Sequence, residues 1–85
     1  MMFDIKYSRQ AVKFLKNLDK KLILRILDKI DKLKEIPIEH DSKSVKGYDE
    51  KLFRVRIGDY RVLYDVDYDN NMVGIVKIDK RDKVY

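Results

Sequence analysis

Cysteine is absent from this 85-residue chain, histidine and proline occur once each, and no long apolar run interrupts its mixture of charged and apolar residues. Without cysteine there is no disulfide, no thiolate nucleophile and no zinc site built on sulfur. His40 stands alone, which excludes a histidine metal cluster, and in its polar segment it reads as a surface residue rather than a base. No stretch approaches the roughly 20 apolar residues of a membrane helix, and the opening Met-Met-Phe-Asp-Ile-Lys lacks the apolar core of a secretory signal. A cytoplasmic protein with no membrane partner is expected. No repeat or low-complexity segment is visible, and a chain of this length is expected to form a single domain, residues 1–85.

What the chain has in abundance is charge. Lys plus Arg number 20 against 15 Asp plus Glu, a net +5, with both signs interspersed throughout. The excess favours an anionic partner without naming one. Its distribution by residue type says more. Four of the six arginines, Arg54, Arg56, Arg61 and Arg81, fall in residues 54–81, whereas the positive charge of the first half is mostly lysine. Lysine suits a solvated helix face; arginine grips a phosphate through a planar, two-pronged set of donors.

Hydrophobic periodicity divides the chain in two. Phe3, Ile5 and Tyr7 alternate with Asp4 and Lys6, the two-residue period of a half-buried strand. Ser8 is placed to cap a helix carrying Ala11, Phe14, Leu15 and Leu18 on one face, and Asp19 to cap a second carrying Ile26, Leu27, Ile30 and Leu33. Pro37 disfavours helix at Ile36. Two such one-sided helices require a hairpin lying on a sheet. Residues 38–50 hold the loop signals, with a short strand expected at 44–46. Beyond them, 51–57, 60–66 and 72–78 are rich in β-branched and aromatic residues and read as strands. The fold class is therefore α+β: an N-terminal strand, then a two-helix hairpin packed on a twisted antiparallel sheet of about four strands.

Gly58-Asp59 between two strands fits a type II′ hairpin turn and fixes a register. Ile57 then faces Tyr60, Val55 faces Val62 and Phe53 faces Tyr64, an apolar face for the helices. On the other face Arg56 meets Arg61, an unfavourable pairing of like charges on the order of a fraction of 1 kcal/mol. Strand parity adds Arg54, and Lys77 with Arg81 if Lys77 also points outward, giving a cationic surface suited to a phosphate backbone. The competing reading is that arginines in a chain 41% charged are solvated, or neutralised by Asp59, Asp65 and Asp79. Tyr7, Tyr60 and Tyr64 are expected at the core or its edge, and Tyr48 and Tyr68 in loop packing.

Nearly the whole chain resembles the RelE/ParE toxin superfamily. The resemblance is carried by Lys46-Gly47-Tyr48, by residues 52–64 in the pattern L-x-R-x-R-x-G-D-Y-R-V-x-Y, and by Lys80-Arg81-Asp82-Lys83-Val84-Tyr85. Members resembling RelE are toxins of toxin–antitoxin pairs that enter the ribosomal A site and cut messenger RNA; members resembling ParE share the fold and poison DNA gyrase. The resemblance implies a RelE-like fold, a cognate antitoxin, a ribosome with its mRNA as target, and no metal or other cofactor. It also implies the alternative, a ParE-like gyrase inhibitor without nuclease activity.

A ribonuclease of this kind directs a ribose 2′-hydroxyl at the adjacent phosphorus, leaving a 2′,3′-cyclic phosphate and a free 5′-hydroxyl. The 2′ proton must be taken, the charge on the phosphoryl oxygens stabilised, and the 5′-oxygen helped to leave. Matched onto the superfamily pattern, Arg61 is expected to clamp the scissile phosphate, Arg81 to stabilise the transition state, and Tyr85 to act on the nucleophile or stack on a base. Arg54 and Arg56 stand where some relatives carry lysines and are assigned to RNA binding, with Lys51, Lys46 and Lys77 alongside. Lys80, also assigned to RNA binding, or Lys83 stands near the terminal tyrosine, where some relatives have histidine. Nothing follows Tyr85, so the further C-terminal helix of some members is expected to be missing. Leu63, Val73 and Ile75 are expected on the outer sheet face as a place for an antitoxin helix to dock.

Overall fold

Two polar side chains start the two helices. In the computed structural model, which describes residues 2–37, 43–45 and 52–80, Ser8 caps α1 (Arg9–Lys16) by accepting the Ala11 amide at 3.1 Å. Asp19 caps α2 (Lys20–Lys32) by accepting the Leu22 amide at 3.0 Å. Each satisfies an amide that the first helical turn leaves without a partner. The helix regularity of α2 stops at Lys32, before Pro37 is reached, and the chain tightens through short-range bonds that include Glu35 N–H to Lys32 O at 3.3 Å. Among the described residues no helix is long and apolar enough to cross a membrane.

Five strands follow the chain order β1 (Asp4–Tyr7), β2 (Lys43–Val45), β3 (Leu52–Ile57), β4 (Tyr60–Asp67) and β5 (Met72–Lys80). Their spatial order is β1-β5-β4-β3-β2. The strands β2 to β5 form the four-stranded antiparallel meander expected of the sequence, and β1 extends it as an edge strand parallel to β5. β2 begins one residue earlier than the strand expected at 44–46; Lys46 lies outside the described residues. The turn at Gly58 has φ 58 with no positive φ at Asp59, the type II′ pattern, and the β3–β4 register is the one the turn predicts.

The parallel edge is prolonged by side chains. Past the last β1–β5 pair, Tyr7 with Ile75, the Ser8 amide donates to Ile75 O and the Ser8 hydroxyl to Val76 O at 2.7 Å. The Gln10 amide then behaves like a strand backbone, donating Nε2–H to Ile78 O at 2.8 Å and accepting the Ile78 amide at 3.0 Å. Backbone groups of β5 that β1 is too short to reach are satisfied in this way.

Both helices lie on one face of the sheet. Ala11, Leu15, Ile26, Ile30 and Leu33 meet Val55, Val62, Tyr64, Val73, Ile75 and Ile78, all buried. Burying each of the larger aliphatic side chains contributes about 1.5–3 kcal/mol. Tyr64 is fully buried, Tyr7 and Tyr60 are partly so, and Tyr60 meets Phe14 of α1 edge-on at 6.0 Å between ring centroids. Tyr68 packs edge-on against Phe3 at 5.7 Å; Tyr48 lies outside the described residues.

Val73 and Ile75 are core residues, which corrects their expected place on the outer face. The cause is a β-bulge. Leu63 pairs with Lys77 but Tyr64 pairs with Ile75, so Val76 is an extra residue in β5 and strand parity reverses across it. Ile75 therefore points inward while Lys77 points outward. Leu63 does face away from the helices, but at 3% exposure it offers no open docking surface.

Candidate nucleic-acid interface

The face opposite the helices carries the arginines in two cross-strand rows. In the first, Arg56 of β3 pairs with Arg61 of β4, which pairs with Asp79 of β5. In the second, Lys43, Arg54, Leu63 and Lys77 follow across β2 to β5. The like-charge pairing of Arg56 and Arg61 is thus real, and the strand on the far side of Arg61 supplies the opposite charge. Arg61 Nε–H donates to Asp79 Oδ1 at 2.9 Å and Nη2–H to Oδ2 at 3.3 Å, a two-pronged guanidinium–carboxylate pair.

This pair is not a surface contact diluted by water. The side chains of Arg61 and Asp79 are 13% and 18% exposed, whereas Lys77, whose Nζ lies 3.8 Å from the same carboxylate, is 51% exposed. Hydrogen bonds to charged groups contribute about 1.5–3 kcal/mol, against a like-charge penalty of under about 1 kcal/mol, so attraction wins and Arg61 is held toward β5. Neutralisation by Asp79, one of the readings open from the sequence, holds for Arg61. Arg56 is exposed, Arg54 is partly buried, and Lys77 projects beyond the pair.

The structure brings Arg54, Arg56, Arg61 and Lys77 onto one surface. Lys80 is set apart: it pairs with Tyr60, whose side of the sheet is the one the helices cover. Lys46, Lys51, Arg81 and Tyr85 lie outside the described residues. Gln10 was not legible as a contributor, because a glutamine on an exposed helical turn carries no signal of pairing with a strand; its bonds to Ile78 fix β5 one residue before Asp79. Chemically, the arrangement can hold a polyanion by several cations and orient one guanidinium rigidly.

A helix hairpin on one side of an antiparallel meander, with arginine rows on the other, is the architecture implied by the L-x-R-x-R-x-G-D-Y-R-V-x-Y resemblance. The chain belongs to the RelE/ParE toxin superfamily: the family model of the ParE toxin of the type II toxin–antitoxin system parDE matches residues 5–85. RelE1 of Methanocaldococcus jannaschii is 36% identical over 88 residues, spanning 100% of this chain and 97% of its own. A chain of the archaeal RelE–RelB complex from Pyrococcus horikoshii superposes with a TM-score of 0.82 at 33% identity, covering 95% of this chain and 97% of that one. A chain of the RelBE2 toxin–antitoxin complex from Mycobacterium tuberculosis reaches the same TM-score of 0.82 at 22% identity, over 95% and 100% of the two chains, a likeness of fold.

Proposed function

We propose that this toxin is a ribosome-dependent endoribonuclease that cuts messenger RNA in the A site by 2′-hydroxyl attack and is neutralised by a cognate antitoxin. The observation that carries the reading is the helix-free sheet face on which Arg54, Arg56 and Lys77 surround an Arg61 already fixed in orientation. Arg61 contacts the scissile phosphate, and Arg54, Arg56 and Lys77 hold flanking phosphates. Arg81 stabilises charge as the 5′-oxygen departs. Tyr85 takes the 2′ proton or stacks on a base; with an ordinary pKa near 10, its phenol becomes an effective base only where neighbouring guanidinium groups favour the phenolate. The antitoxin is supported by relatives solved as complexes with RelB. Gyrase inhibition is not favoured: the matching family model bears the ParE name, but the relatives at 36% and 33% identity are RelE toxins.

Purified protein added to a translation reaction should produce messenger breaks positioned at codons. Arg61→Ala should reduce the rate of breakage by on the order of 10²-fold or more, the scale of losing one fixed stabiliser of transition-state charge. Tyr85→Phe separates the two roles of the phenol, with an unchanged single-turnover rate defeating the base. Intact messenger alongside altered plasmid supercoiling with gyrase would overturn the nuclease reading.

A further inference from the structure

We infer that Asp79 is a positioning residue for Arg61, trading anion affinity of the open face for a fixed guanidinium orientation. The inference rests on the nuclease reading and adds a residue that reading does not use. A carboxylate beside Arg54, Arg56, Arg61 and Lys77 is out of place on a surface meant only to attract RNA, because it repels the phosphates those cations draw in. Here it sits directly across the ladder from Arg61, takes two of the five guanidinium N–H donors at 2.9 Å and 3.3 Å, and is nearly as enclosed as its partner.

Asp79 also lies within 3.8 Å of Lys77 Nζ, so one carboxylate ties together cations from two strands. A long side chain that otherwise samples many rotamers is thereby confined to one plane. Rate depends on such placement far more steeply than affinity does, since a displacement of about 1 Å can lower a reaction rate on the order of 10²-fold.

Asp79→Asn tests this with little change in shape. It keeps one acceptor oxygen, removes the charge, and turns an amide N–H toward the guanidinium. On ribosomes programmed with a susceptible codon in the A site, the single-turnover rate should fall about 10- to 100-fold, while the protein concentration giving half the maximal rate stays level or decreases. Asp79→Glu restores the charge on a longer arm and should return half-saturation to the wild-type value with only partial recovery of rate. A purely structural role predicts instead that rate, affinity and melting temperature fall together; a purely masking role predicts that rate and affinity both rise. Either result, or a rate unchanged in both variants, overturns the inference while the wild-type protein still cuts. A wild-type protein that makes no breaks overturns the nuclease reading, and the inference with it.

Discussion

Along β4, Val62 and Tyr64 are sealed against the helices, while their neighbour Arg61 turns to the opposite side and meets a carboxylate. On the covered face, position is decided by area removed from water, a non-directional force that favours apolar side chains and rings there. On the open face it is decided by pairwise charge and by which strand lies next door. The first can be read from a periodic pattern. The second depends on partners distant in the chain: Arg61 and Asp79 are eighteen residues apart in sequence.

Four measurements would break or sharpen this contrast, taken in order of size. Ile26→Ala, at a fully buried position, should destabilise the fold by about 2–5 kcal/mol in chemical denaturation without altering the open face. Gln10→Ala strips two hydrogen bonds from Ile78 and should lower stability by about 1–3 kcal/mol. Its amide-exchange signature is local, with faster exchange at Ile78 than in β3. Lys77→Gln should leave the melting temperature nearly unchanged, within about 0.5 kcal/mol. The same variant should reduce the salt dependence of ribosome binding by roughly 0.7 in log–log slope, the share of one phosphate contact. If it unfolds the protein instead, the two faces are not separable.

The smallest effect is at the β4–β5 turn. Asp67 accepts the Asn70 side-chain amide at 2.8 Å and the backbone amides of Asp69 and Asn70, and these bonds, the Asn70 side chain first, hold its carboxyl below the usual range. A depressed folded-state pKa means that its stabilisation is complete above the unfolded value and disappears as pH falls through the folded one. Melting curves should therefore show a slight extra loss on acidification below about pH 4, absent in Asp67→Asn. As the group is fully exposed, the loss should be barely above measurement error.

Local signals were legible wherever the chemistry is local. Ser8 and Asp19 cap the helices they precede, and Gly58-Asp59 sets both the hairpin and the pairing of Arg56 with Arg61. The rows of the open face were legible through that register as far as β4. Beyond it, the inserted Val76 was not, because a period-two pattern does not reveal a single extra residue. That one residue accounts for Val73 and Ile75 lying in the core. The parallel pairing of β1 with β5 was equally hidden, since an alternating strand says which side is buried and nothing about its neighbour. Asp79 was visible as a nearby counter-charge, but its choice of Arg61 depends on that same unseen register.

The seam between the first strand and the last has a bearing on how the toxin is made. Asp4 to Tyr7 find their mates at Met72 to Ile75, and Ser8 and Gln10 reach Val76 and Ile78, contacts spanning 68 positions. During synthesis the early segment must wait for 68 further residues before it has anything to zip onto, and such distant closures come late in folding. A nascent toxin is thus denied its finished shape until β5 has been made, a delay written into the topology itself.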